Sequence, residues 1–385
     1  MRKTYLLYLL SFILFIGNLH AQLNNSLLEH PIELNDSSKE SVCLSIYSNS
    51  FFKNNEYFDD IAKGYTLFGT QLQTELGYIV NPHLRIQAGL YARKDFGNES
   101  FTNIAPVFSV KFKKNGYSVI MGTLEGNISH QMAEPIYNYE RVILNHLENG
   151  LQFKIDKKKI WADTWINWEV QQYLNSTFQE QLSGGHSSKI KLLEHKNFTI
   201  QLPLQLLISH KGGQLDLDTS SLKTITNTAT GLILNFKSKN PSSFIQSINS
   251  ENYITSFIDM SPSKTLNFKK GNGLFLNLNA VSKYDIGLSF GFWSGRNYLS
   301  SRGGDLFKSE ASIYGTNNYT EPKRDLIFAR LFYQRKILNA LYTDIRFEPF
   351  YNLKNNTLQY SYSVYLTYKT DLTLVNLING KRRNK

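Results

Sequence analysis

The sequence predicts an all-β chain, a transmembrane antiparallel up-and-down β-barrel of about 16 strands (range roughly 14 to 18). Three observations predict it. The N-terminus reads as an export signal, short segments alternate strictly between apolar and polar residues up to the C-terminus, and the connections swing between tight and long.

Arg2 and Lys3 open the chain, Tyr5 to Ile16 is an almost unbroken apolar run, and Leu19-His20-Ala21 offers a small residue before a cut. A charged start, a short apolar stretch and such a site mark a secretory signal over residues 1–21. The run is shorter than the ~20 residues that a spanning helix needs. Residues 22–40 are polar, lack alternation and read as a loose periplasmic lead. The barrel is expected over 41–374, and 375–385 read as a basic tail ending Lys381-Arg382-Arg383-Asn384-Lys385.

The strands follow in order. Leu84, Ile86, Ala88, Leu90 and Ala92 face away from Arg85, Gln87, Tyr91 and Arg93. Phe108, Val110 and Phe112 oppose Ser109 and Lys111, and Phe198, Ile200, Leu202, Leu204 and Ile208 oppose Thr199, Gln201 and Gln205. Near the end, Leu341, Thr343, Ile345, Phe347 and Tyr351 oppose Tyr342, Asp344, Arg346 and Glu348. The last strand sets Leu358, Tyr360, Tyr362, Val364, Leu366 and Tyr368 against Gln359, Ser361, Ser363, Thr367 and Lys369. One apolar and one polar, often charged, face suits lipid outside and water inside. A soluble sandwich also alternates, so the connections decide. Tight ones at 81–82, 113–116, 156–159, 194–197, 282–285 and 338–339 interleave with longer stretches at 94–103, 125–148, 173–185 and 210–227. Short periplasmic turns and long extracellular loops produce that asymmetry. The segment 246–259 is ambiguous and limits the strand count.

Composition narrows the function classes. Aromatics reach 14%, with 23 Tyr and 25 Phe, which suits half-buried strands. The lone Cys43 excludes an internal disulfide and a cysteine-based metal site. The formal charge is +11, of which Arg2 and Lys3 supply two, leaving +9. A basic balance fits nucleic acid, anionic lipid or an anionic solute. Export removes nucleic acid, leaving outer-membrane lipid, lipopolysaccharide and small hydrophilic solutes as the expected partners. No later stretch is apolar enough for a spanning helix, and the chain has no room for a separate plug domain beside ~16 strands.

Two stretches carry a family likeness: Gly122-Thr123-Leu124 through Leu147-Glu148-Asn149-Gly150-Leu151-Gln152, and Phe292-Trp293-Ser294-Gly295 through Gly304-Asp305-Leu306-Phe307-Lys308-Ser309. On these and on the strand pattern, the chain resembles porin-like outer-membrane barrels of Bacteroidota. It runs well past Tyr368, where such chains usually end on an aromatic residue. The resemblance implies an outer-membrane location and leaves a homotrimer open. It also implies that the connection after the fifth strand, 125–148, folds into the lumen as a constriction bearing His130, Glu134, Glu140, Arg141 and His146; an ordinary surface loop with one helical turn is the alternative.

The alternation points Arg85, Arg93, Lys111, Arg346 and Lys369 into the lumen, opposed by Asp163, Glu169, Asp344 and Glu348. Both signs are usual in a water-filled barrel, and the positive excess makes mild anion preference the working hypothesis. Trp161 and Trp165 share a face with Asp163 and Glu169, so sugar stacking competes with an interfacial aromatic girdle that would also take Trp168. Catalysis is not expected. The seven histidines beyond the signal (His30, His83, His130, His146, His186, His195 and His210) form no HExxH pair, no serine sits in a GxSxG elbow, and no P-loop or GxGxxG follows a strand. No cofactor is expected. The sequence therefore predicts a porin-like channel for passive diffusion of small hydrophilic solutes. The alternative is a surface barrel whose long loops, notably 296–325, bind polysaccharide or another cell, or assist envelope or capsule assembly.

Overall fold

The computed structural model describes residues 25–34, 40–213, 217–313 and 315–376. Among these, sixteen strands close into one antiparallel barrel in which each strand pairs with its neighbours in the chain and β1 seals against β16. They are β1 (Ser41–Phe58), β2 (Lys63–Asn81), β3 (Leu84–Asp95), β4 (Asn103–Lys114), β5 (Tyr117–Thr123), β6 (Asn149–Asp156), β7 (Ile160–Val170) and β8 (Gln181–His195). The second half holds β9 (Phe198–Lys211), β10 (Lys223–Lys237), β11 (Ile245–Asp259), β12 (Lys270–Ser282), β13 (Ile286–Arg296), β14 (Lys323–Leu338), β15 (Leu341–Asn352) and β16 (Thr357–Asn376).

The burial pattern is inside out relative to a soluble protein. Leu358 is 59% exposed while its neighbour Gln359 is fully buried, and Val364 and Leu366 face outward while Ser361 and Ser363 are covered. Polar residues point into a filled lumen and apolar ones into hydrocarbon, which places the barrel in the outer membrane. Tight turns sit at one end, which the short-turn rule assigns to the periplasm. Asn115 and Gly116 both take positive φ, 52° and 75°, as a two-residue hairpin turn of the primed type requires. The ambiguous segment is β11, paired to β10 and β12 along its whole length.

Two connections leave the extracellular rim and turn inward. The one from β5 to β6 (124–148) carries a single helical turn, α1 (Arg141–Leu144), and the other runs from β13 to β14 (297–322). They meet inside: Tyr298 Oη donates to Pro135 O at 3.1 Å, Ser300 Oγ to Ile136 O at 3.0 Å, and the Asn138 amide to Arg302 O at 2.8 Å. Gly303 is required there, because a Cβ would lie 1.9 Å from Pro135 O. Ile136, Tyr298, Leu299, Leu306 and Phe307 pack with the wall residues Ile233, Phe257, Phe275, Trp293 and Phe328 into the main apolar cluster.

Two boundaries differ from expectation. Residues 25–34 are not a loose lead but enter the periplasmic end of the lumen. Leu28, Ile32 and Leu34 are buried there, an apolar set hidden in a polar stretch. β16 continues to Asn376, two residues into the expected tail. The expected signal (1–21) and the terminal basic run lie outside the described residues.

Candidate functional site

The inward connection is locked by buried charge. His130 is fully buried, with Nδ1 3.0 Å from Asp163 Oδ2 on β7 and Nε2 2.8 Å from Glu148 Oε2. Its ring stacks on Trp165 with centroids 3.5 Å apart, and Tyr137 donates to Glu148. Burial alone would lower the His130 pKa, but the two carboxylates raise it to about 9. Burial likewise opposes Glu148 ionisation, and the His130 charge still holds that carboxyl down at about 2. His130 is thus an imidazolium held between two acidic side chains. A second network anchors the other end of the connection. Lys53 Nζ lies 2.8 Å from Glu140 and 3.3 Å from Glu348, and Arg330 bridges Glu348 at 2.7 Å and Glu134 at 2.6 Å. Tyr139 donates to Glu348 at 2.6 Å and Tyr65 to Glu140 at 2.5 Å.

All nine residues expected in the lumen point inward, and each is engaged. Arg85 forks onto Asp371 at 2.9 and 3.2 Å, Arg93 onto Asp95, and Lys111 meets Glu125. Arg346 pairs with Asp344, Glu169 with Arg302 at 2.5 Å, and Lys369 donates to the carbonyls of Ser26 and Glu29. Asp163 and Glu348 belong to the networks above. Of the expected constriction residues, His130, Glu134 and Glu140 are in those networks, and the Arg141 guanidinium lies 5.2 Å from the Tyr137 ring centroid. His146 sits between the rings of Tyr47 and Tyr91, each 5.1 Å away and nearly parallel. Burial lowers its pKa to about 4, so its ring is neutral.

That stack continues to His30 of the N-terminal segment, 6.0 Å from Tyr47. His30 Nε2 lies 2.8 Å from Ser45 Oγ on β1. Asp371 stands opposite Ser45 in the β1–β16 register. Burial lowers the His30 pKa, leaving an imidazole free of charge at neutral pH. Two further imidazole–hydroxyl contacts, His186 with Thr164 and His210 with Thr224, lie on the outward face. Among the described residues no cluster of His, Cys, Asp and Glu is placed to hold a metal ion.

Below the connections a cavity of about 740 Å³ opens to the periplasmic mouth. Its walls come from β7 to β10 with Phe275 and Asn277 of β12 and Arg330 of β14, and its roof includes Gln131, Met132, Glu134 and Tyr139. Trp161 lines it, Trp165 is buried beneath His130, and Trp168 faces outward at 40% exposure. The tryptophans therefore divide between lumen and outer wall rather than forming one girdle.

Sequence reasoning missed Lys53, Arg330, Ser45 and the buried Arg324, which bridges Asp59 and Glu321 at 2.8 Å each. Period-two alternation carries no sign of which inward charges pair. Ser45 and His30 have no motif spacing, and only the entry of residues 25–34 into the lumen joins them.

The solved structures similar to this barrel are outer-membrane proteins. OprD from Pseudomonas aeruginosa aligns with a TM-score of 0.52 at 8% identity, over 89% of this chain and 98% of its own. A loop L8 deletion mutant of OmpT from Vibrio cholerae aligns at 0.53 and 8%, over 86% of this chain and all of its own. In-vitro folded OmpT in its trimer form aligns at 0.50 and 7%, over 86% and 100%. At such identities the likeness is one of fold. No curated protein matches by sequence. The family described as Lipid A 3'-O-deacylase-type, however, matches residues 34–377. That match overturns the expectation that the chain is no enzyme. The expectation rested on missing linear motifs, whereas catalytic sets are assembled in space and need not show in linear order. The match runs through all sixteen strands and both inward connections, and the chain belongs to the Lipid A 3'-O-deacylase-type family.

Proposed function

We propose that the chain is an outer-membrane acyl-ester hydrolase acting on lipid A or a similarly acylated glycolipid. Family membership supports the reaction class, and the observation that carries the site is the 2.8 Å contact between Ser45 Oγ and His30 Nε2. A hydroxyl bonded to a neutral imidazole is the arrangement an activated nucleophile needs. In this reading Ser45 Oγ attacks the ester carbonyl as its proton passes to His30. His30 then returns the proton to the departing sugar oxygen, and water clears the acyl-serine with His30 again as base. The test is incubation of the refolded barrel with lipid A and mass spectrometry of the product. The wild type should remove one acyl chain, and Ser45→Ala and His30→Gln should each lower turnover by about a hundredfold or more. A wild type that leaves lipid A intact overturns the reaction; an undiminished Ser45→Ala variant overturns the site.

A second reading, favoured by the cavity open at one mouth of a sixteen-strand barrel, is passage of small hydrophilic solutes with mild anion preference. It needs the 124–148 connection to withdraw. Bilayer conductance with a salt gradient tests it, and cation preference or silence under all conditions removes it.

A further inference from the structure

The periplasmic cavity is unlike the rest of the lumen. Lys189, Lys191, Lys196 and Lys237 line it together with Arg330, and Glu29, Glu134 and Glu194 are the carboxylates of the lining. Lys191 meets Glu194 at 3.1 Å, and Lys189 Nζ stands 6.0 Å from the Trp161 ring centroid. Between the lysines runs a stripe of amide and hydroxyl groups. Asn235 Nδ2 donates to Thr199 Oγ1 at 3.0 Å and is 3.4 Å from Gln201 Oε1, and Asn277 lies further along the wall. Gln131, Met132, Glu134, Tyr137 and Tyr139 of the 124–148 connection form part of its lining. A volume of about 740 Å³ falls within the usual ~300–1,000 Å³ of small-ligand sites.

From this combination we infer that the cavity is a binding site for an anionic saccharide presented from the periplasmic side. An indole face suits the apolar face of a sugar ring, the amides match its hydroxyls as both donors and acceptors, and the lysines receive a phosphate or carboxylate. A cavity selecting plain anions would not need the amide stripe or the tryptophan. The site is distinct from the contact between Ser45 and His30 and does not depend on the hydrolase reading. The same chemistry is offered by a soluble sugar phosphate and by a lipid-anchored sugar headgroup.

The experiment is tryptophan-fluorescence titration of the full refolded barrel in detergent with trehalose 6-phosphate, trehalose and inorganic phosphate. A parallel arm uses nanodiscs containing a lipid with a phosphorylated-sugar headgroup. Saturable quenching by trehalose 6-phosphate, at least tenfold tighter than by either half alone, is the expected result. Saturation by the lipid-anchored sugar alone keeps the site and assigns its source to the membrane. Lys189→Gln combined with Lys191→Gln should weaken binding by about tenfold or more, and Trp161→Phe should remove most of the quenching, with heat-modifiable migration showing that both variants fold. Equal binding of phosphate alone, binding unchanged in the lysine variant, or no binding of any probe overturns the inference.

Discussion

Replacing His130 with alanine should release the 124–148 connection from the barrel wall while leaving the barrel itself intact. The side chain makes two contacts to carboxylates, 3.0 Å to Asp163 and 2.8 Å to Glu148, and stacks on Trp165. A hydrogen bond to a charged group is worth ~1.5–3 kcal/mol, and stranding buried charge by removing one partner costs ~3–5 kcal/mol. The same two carboxylates raise the His130 pKa from 6.5 to about 9, a shift of the same order, ~3 kcal/mol. Destabilisation of ~3–5 kcal/mol would move the closed-to-open ratio by roughly a hundredfold to a few thousandfold. Planar-bilayer recording of His130→Ala should therefore show openings absent from the wild type, and added protease should cut within 124–148. The pH dependence has a definite sign. The His130 contribution is complete below pH 6.5 and is lost as pH rises through about 9. That of Glu148 is complete above 4.5 and lost as pH falls through about 2. The wild-type lock is firmest between 4.5 and 6.5 and loosens on the alkaline side. A silent, protease-resistant His130→Ala variant with normal heat-modifiable migration would refute the reasoning and leave the contact between the two connections as the restraint.

Two further predictions concern the barrel. Lys53→Met leaves Glu140 and Glu348 without their shared cation, and should lower stability by ~3–5 kcal/mol, read as a lower midpoint of heat-modifiable migration. Val364→Arg puts a charge on the lipid-facing wall and should lower folding stability in vesicles by ~2–4 kcal/mol, whereas a charge at an extracellular loop position such as Asn98 should be neutral.

The strands were legible because each solvent writes its own face. In β16 every outward position from Leu358 to Tyr368 is apolar or aromatic, and a slip of one residue would put Lys369 in hydrocarbon. The inward fold of 125–148 came from resemblance alone, since nothing in Pro135, Ile136 or Tyr139 says that a wall rather than solvent will cover them. Glu348 could be set in the lumen by its period, but its partner Lys53 is 295 residues away and no local pattern links them. The misread lead shows the complementary failure: Leu28, Ile32 and Leu34 are too sparse to mark a buried segment, and their burial depends on a cavity formed by distant strands.

The two inward connections spring from β5–β6 and β13–β14, hairpins eight strands apart in a ring of sixteen and therefore on opposite walls. Their junction joins residues 163 positions apart, Tyr298 and Pro135, so it works as a strut across the diameter. A hollow cylinder of hydrogen-bonded strands can flatten into an ellipse under lateral pressure, but a strutted one has its cross-section fixed. Each half of the barrel supplies only one end of the strut, so the junction ties the two walls together across the lumen.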